Sequence, residues 1–204
     1  VMRTLGQCIE SKRSRLAVSV DLTNPEQCLN CIDAVGPYVC MIKTHIDIIE
    51  GFNPSFIDRL QSLKIKHNFM ILEDRKFADI GHTAALQYSR GIFHIVEWAD
   101  LITVHALPGP GQIKALADAA GQIDQPRGAL LLVQMSAFAN LCDDHYASAA
   151  LAMAQAHPNF VAGLIAQKQL APNFATFSPG VHLNSGGDAH GQRYRTPEQA
   201  FIRD

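Results

Sequence analysis

No apolar run in the chain approaches the roughly 18–20 residues that a membrane-spanning helix needs, and the first residues, Val1–Gly6, hold no signal-peptide core. The expectation is a soluble, cytoplasmic protein with no membrane partner. Surplus positive charge is missing too. Seventeen Lys and Arg face 19 Asp and Glu, a formal net charge of −2, which leaves no phosphate-coating basic surface of the kind that binds nucleic acid. A disulfide framework is excluded because the five cysteines, Cys8, Cys28, Cys31, Cys40 and Cys142, are odd in number and scattered. Cys28-x-x-Cys31 has the spacing of a redox or metal pair, but no second pair or neighbouring His cluster completes a zinc site. The pair lies in Pro25-Glu-Gln-Cys-Leu-Asn-Cys-Ile-Asp, where Cys28, Leu29 and Ile32 share one helical face, so it reads as small buried apolar residues. No linker, low-complexity segment or helical repeat interrupts the 204 residues. With 48% hydrophobic against 18% charged residues, the composition is that of one globular domain with a sizeable core.

What the chain does contain is a repeated alternation. Seven short apolar runs stand at Leu16–Val20, Val39–Ile42, Phe69–Leu72, Leu101–Val104, Leu130–Met135, Phe160–Ile165 and Ala175–Phe177. Their near-continuous hydrophobicity marks strands buried on both faces, as in a parallel sheet. Helical stretches separate most of them: Asn24-Pro25 and Asn53-Pro54 are cap-and-proline starts, and Asp143 or Asp144 precedes the Ala-rich Tyr146–Ala156, which His157-Pro158 ends. Phe93 and Trp98 read as helix core.

Two parallel architectures fit this order, a doubly wound open sheet and a (β/α)8 barrel. Where the polar residues fall separates them. Asp21 follows the first run, Lys43 and His45 the second, Asp74 and Lys76 the third, His105 the fourth, Ser136 the fifth and Pro179-Gly180 the seventh. A barrel collects reactive groups at the C-terminal ends of several strands, whereas an open sheet collects them at one switch point. Asp21-Leu-Thr-Asn-Pro also stands where a dinucleotide-binding glycine loop would be. The expectation is therefore an α/β (β/α)8 TIM barrel forming a single domain over residues 1–204. Such barrels usually take about 250 residues, so the eighth strand and helix are expected beyond Asp204, leaving the domain incomplete at its C-terminus.

The most informative stretch is Glu73-Asp-Arg-Lys-Phe-Ala-Asp-Ile-Gly-His-Thr83. On an extended backbone Asp74 and Lys76 project to the same side, and Asp79 follows as the chain turns into a helix. With Lys43 and His45 ending the neighbouring strand, two ammonium groups and at least one carboxylate share a small space, each lysine stabilising the ionised aspartate. A solvated loop or an ion-pair network pinning the barrel top would have the same composition. His45 reads as a group that orients this network, and His105 as a hydrogen-bonded packing histidine.

Leu16-Ala-Val-Ser-Val-Asp21, Met41-Ile-Lys-Thr-His-Ile-Asp47, the Glu73–Thr83 block, Gln134-Met-Ser136, Ser178-Pro-Gly-Val181 and Gly191-Gln-Arg-Tyr194 occur in this order. Together, from about Leu16 to the last residue, they resemble orotidine 5′-monophosphate decarboxylases, in the subgroup of the fungal enzymes and the decarboxylase domain of animal UMP synthase. The resemblance implies removal of CO2 from orotidine 5′-monophosphate to give UMP, the last step of pyrimidine synthesis, without metal or organic cofactor. It implies a charged network of Lys43, Asp74 and Lys76, with Lys76 protonating C6, and a homodimer in which Asp79 and Thr83 reach the partner's site. Asp21 and Lys43 would bind ribose hydroxyls, Ser136 the pyrimidine, and Gln192 and Tyr194 the phosphate, with Pro179 also lining the substrate. His182–Gly191 would form a mobile lid. His82 and Ala137 depart from the family's usual Asn and Ser. The family's phosphate-binding arginine follows the eighth strand, and Arg193, Arg195 and Arg203 do not match its context. The alternatives are a Mg²⁺-dependent sugar-phosphate enzyme of the same barrel group, or a catalytically dead barrel that binds nucleotides or only dimerises.

Overall fold

The computed structural model describes residues 1–184, 186–189 and 191–201. Seven strands, Ala17–Ser19 (β1), Met41–Thr44 (β2), Met70–Phe77 (β3), Leu101–His105 (β4), Gly128–Leu132 (β5), Val161–Ile165 (β6) and Ala175–Phe177 (β7), form one sheet. Their spatial order follows the chain from β1 to β7 and every pair is parallel. Parallel neighbours need crossovers. Pro25–Val35 (α2), Pro54–His67 (α3), Gly81–Ser89 (α4), Pro110–Ala120 (α6) and Asp144–Ala156 (α7) supply five of the six, and residues 166–174 join β6 to β7 without a helix. Met2–Lys12 (α1) precedes β1, Ile95–Trp98 (α5) leads into β4, and Pro197–Phe201 (α8) follows a short hairpin of Gly186–Gly187 with Arg193–Tyr194.

The helix starts follow local chemistry. Asn24 accepts a hydrogen bond from the Gln27 amide, Asn53 from Ser55 and Asp143 from Tyr146, each satisfying an amide that the helix itself cannot. Phe93 is a correction: it lies just before α5 and offers its carbonyl to the Trp98 indole N–H at 2.8 Å. Among the described residues nothing pairs with the outer edges of β1 and β7, so the barrel is open where an eighth strand would pair with both.

Each strand sorts its residues by period two. Ile42, Ile71, Ile102, Val104 and Leu131 pack outward under the helices, while Met41, Met70, Leu72, Leu101 and Leu130 pack inward. At the floor, Leu5 and Cys8 of α1 join the inward cluster. The Cys8 thiol donates to the Asn68 carbonyl at 3.0 Å. Burial pushes the Cys28 and Cys40 thiols up to about 11, the behaviour of packed rather than reactive cysteines. One glycine is obligatory for the upper rim: at Gly81 an added Cβ would lie 2.7 Å from the Gly111 carbonyl oxygen, so its absence lets α4 close against α6.

Candidate active site

Along the barrel interior, hydrocarbon gives way to polar side chains toward the C-terminal strand ends, and five residues meet there. The inward period of β2 that buries Met41 brings Lys43 inward two residues later. Its ammonium lies 3.1 Å from Asp74 Oδ2 and 3.3 Å from Asp21 Oδ1. Lys76 Nζ donates to Asp74 Oδ1 at 2.9 Å. Asp74 thus sits between two lysines, its side chain only 9% exposed. His45 Nε2 lies 2.7 Å from Lys43 Nζ and 3.4 Å from Asp74.

The electrostatics follow from burial and charge. Burial pushes the Asp74 carboxyl up, but Lys43, Lys76 and its hydrogen bond, and His45 together override it and hold the group down at about 2. His45 is pushed down by burial and then by Lys43, so near neutral pH the uncharged ring accepts from the Lys43 ammonium. His105 is lowered by burial and by Lys76. Its expected hydrogen bond runs through the backbone instead, its carbonyl accepting from Gln112 Nε2 at 2.9 Å.

The backbone carrying Asp74 and Lys76 is not simply extended. Glu73 pairs with Ile102 and Phe77 with Val104, so three residues of β3 stand against Thr103 alone. Lys76 adopts a left-handed φ of 50°, a conformation side chains other than glycine rarely take. Thr103, wholly buried in β4, accepts from the Lys76 amide at 2.8 Å and donates to Asp74 Oδ1 at 2.8 Å. Nothing in Leu101-Ile-Thr-Val distinguishes this threonine from core by pattern alone. Buried Gln112 was equally invisible in sequence, and its carbonyl oxygen accepts from the Asp79 amide at 2.9 Å.

Asp79 and Thr83 do not join the cluster. Asp79 turns its carboxylate onto the Ile80 amide at 2.7 Å, and Thr83 is half-buried in the first turn of α4. On the β5 side, Ser136 accepts from Gln192 Nε2 at 2.7 Å, and Ala137 bridges to Gln192 in antiparallel fashion. Tyr194 donates to Asp188 at 3.4 Å. Pro179 is half-buried and precedes Gly180, whose φ of 73° brings it against the Arg193 carbonyl. Arg193 stacks over Phe138 and Arg195 donates to the Gln167 carbonyl, so neither joins the charged cluster. The expected lid includes Ser185 and His190, and Arg203 is C-terminal to α8; these three residues lie outside the described ones. His82 is exposed. Among the described residues no group of three or more His, Cys, Asp or Glu could hold a metal ion, and no helix is long and apolar enough to cross a membrane.

Glu73 alternates to the opposite face of β3 from Asp74. It is fully buried, accepting from Thr44 Oγ1 at 2.7 Å and the Ile46 amide at 3.0 Å. Burial outweighs these bonds and pushes its carboxyl from 4.5 up to about 8. Between those values the folded chain holds a proton that the unfolded chain has released, so this group's contribution is full below 4.5 and is lost as pH rises through about 8. The loss is on the order of 5 kcal/mol. Glu73→Gln removes the titration, so its thermal midpoint is expected to fall less steeply than wild type between pH 5 and 8. Parallel profiles would contradict this reading of Glu73.

Comparison with known proteins places the chain in a family. The family model for orotidine 5′-phosphate decarboxylase / HUMPS matches residues 14–204. The orotidine 5′-phosphate decarboxylase of Schizophyllum commune is 44% identical over 216 residues, covering 99% of this chain and 76% of that protein. The Schizosaccharomyces pombe enzyme is 41% identical over 205 residues, covering 99% and 77%. The chain spans about three quarters of the length of both. Among solved structures, the orotidine 5′-monophosphate decarboxylase of Methanocaldococcus jannaschii superposes with a TM-score of 0.61 at 21% identity, covering 74% of this chain and 70% of that one. The Pyrococcus horikoshii enzyme gives 0.54 at 24% identity over 74% and 66%. These two show the barrel fold, and the fungal relatives and the family model show the kinship: the chain belongs to the orotidine 5′-phosphate decarboxylase / HUMPS family.

Proposed function

We propose that this chain decarboxylates orotidine 5′-monophosphate to UMP in pyrimidine biosynthesis, with Lys76 as the proton donor to C6. The observation that carries the reading is a buried aspartate flanked by two lysines at the C-terminal end of the barrel, Asp74 with Lys43 at 3.1 Å and Lys76 at 2.9 Å. In the reaction the C6–carboxylate bond breaks, its electron pair stays on C6, and CO2 departs. A Lys76 Nζ proton then forms the new C6–H bond, and the resulting amine takes a proton back from water. An ammonium fixed beside C6 stabilises the developing carbanion before it gives up that proton. Asp74, held ionised, repels the substrate carboxylate more than the transition state from which CO2 is already leaving.

Around this centre, Asp21 and Lys43 bind ribose hydroxyls, Ser136 the pyrimidine, and Gln192 and Tyr194 the phosphate, with Pro179 beside them. Phosphate contacts far from C6 supply binding energy that organises the charges. Residues 1–204 act as one barrel domain, and two copies pair so that Asp79 and Thr83 complete each other's site. The absence of Asp79 from its own chain's cluster supports that pairing, as do the exposed Ile80 next to it and the exposed Leu86 one turn beyond Thr83. The test is the loss of orotidine 5′-monophosphate ultraviolet absorbance on adding the protein, with and without EDTA. EDTA-resistant turnover is expected. EDTA-sensitive turnover would contradict the metal-free mechanism, and no turnover would favour a Mg²⁺-dependent sugar-phosphate enzyme or a dead barrel.

A further inference from the structure

We infer that Thr103 is a positioning residue for the decarboxylation, its single hydroxyl fixing Asp74 and Lys76 relative to each other. The inference rests on the reaction proposed above. Its basis is the irregular β3–β4 pairing, in which residues 74–76 bulge opposite Thr103. A bulge strips the extra residues of their ladder partners, and a buried amide without a partner is costly. Thr103 Oγ1 takes over that bond, accepting from the Lys76 N–H at 2.8 Å. Having accepted, the hydroxyl points its own proton at Asp74 Oδ1, also at 2.8 Å.

One side chain thereby joins the main chain of the proton donor to the carboxylate beside it. Two donors, Thr103 Oγ1 and Lys76 Nζ, converge on the same Asp74 oxygen, so the carboxylate cannot swing without breaking both. The tie also accounts for the left-handed Lys76 backbone, which persists only where surrounding bonds over-determine it. A hydroxyl serving the fold alone would have no reason to contact both charged residues. Thr103 is buried completely and touches no solvent, so it acts through Asp74 and Lys76 and not on the substrate.

The test compares wild type with Thr103→Val, which keeps the shape and removes the hydroxyl, and Thr103→Ser, which keeps the hydroxyl. Misplacing a catalytic group by about 1 Å costs on the order of 100-fold, so kcat of Thr103→Val is expected to fall about 30- to 100-fold with KM within about threefold. Thr103→Ser is expected to stay within about threefold of wild type in kcat. Carboxyl carbon NMR supplies a second readout independent of turnover. The Asp74 midpoint is expected to rise in Thr103→Val, which lacks one hydrogen bond to the ionised form, and to stay in place in Thr103→Ser. Lys43, His45, Lys76 and His105 remain around it in every variant. Undiminished kcat in Thr103→Val, or equal losses in the Val and Ser variants, would overturn the inference. Should Thr103→Val fail to fold, Thr103→Ala takes its place with the same expectations. A wild type without turnover would refute the decarboxylase reading, yet the Asp74 titration would still decide the tie: an unmoved midpoint overturns it.

Discussion

Lys76→Ala is expected to lower turnover of orotidine 5′-monophosphate by at least about 10⁴-fold, because the change removes the group proposed as both general acid and cation facing C6. The fold should survive. Asp74 would keep Lys43 at 3.1 Å, His45 at 3.4 Å and the Thr103 hydroxyl at 2.8 Å, so no buried carboxylate is stranded. The lysine side chain is about one-third exposed, and the stability lost with its ion pair should stay within about 1 kcal/mol. Lys76→Arg separates charge from proton transfer: a guanidinium keeps the cation but does not give up its proton, and it too should be nearly inactive. The proposed sharing of sites adds a control. Mixed with Asp79→Ala, itself inactive, Lys76→Ala should regain about a quarter of wild-type activity, since half the dimers are mixed and each holds one intact site. Turnover of Lys76→Ala within tenfold of wild type, in a folded protein, would end the proposed mechanism. An inactive mixture would remove Asp79 from the partner's site while leaving the role of Lys76 intact.

Much of this site is legible in the sequence because charge interrupts apolar runs where a barrel exposes its strand ends. Lys43, Asp74 and Lys76 stand out for that reason, and the structure brings them within hydrogen-bonding range. Asp21 joins them through Lys43. Strand limits were less legible: β3 continues through the charged block to Phe77, although polarity alone suggested that it ended at Leu72. Charged residues can extend a strand when neighbours satisfy them, and here Thr44 and Thr103 do so from the two adjacent strands. Both threonines occupy positions that core packing would fill equally well, so their roles depend on register, which local pattern does not carry. The bulge at residues 74–76 is hidden for the same reason, since it is a property of how β3 pairs with β4. Glu73 marks an intermediate case. Alternation alone puts it on the opposite face from Asp74, but only the burial around it reveals a carboxyl pushed up to about 8.

Asp100→Ala is expected to destabilise the protein by about 3–5 kcal/mol without changing kcat per folded molecule. Asp100 stands at the foot of β4, nearly buried, and ties three elements together. Its Oδ2 accepts from the Ile71 amide of β3 at 2.8 Å, its Oδ1 lies 2.6 Å from Lys64 of α3, and the Arg127 guanidinium before β5 approaches to 3.6 Å. Lys64 is partly exposed and can turn to water. The Ile71 amide and the Arg127 side chain, which is 4% exposed, cannot, so the cost falls on them as an unpaired buried donor and an uncompensated charge. Arg127 retains the Val96 and Glu97 carbonyls at 2.7 Å, which keeps the loss near the lower end of that range. Asp100→Asn preserves an acceptor for the Ile71 amide and gives up only the charge, so it should cost about half as much. Thermal unfolding measures both, with a drop on the order of 10 °C expected for the alanine variant. A loss below about 1 kcal/mol would mean that Arg127 finds full compensation elsewhere. Five residue steps of strand, about 16 Å, separate Asp100 from His105 at the C-terminal end of β4. An unchanged kcat would therefore confirm that the barrel floor holds the fold while the rim performs the chemistry; a fallen kcat would mean that the foot of β4 also sets the position of Thr103.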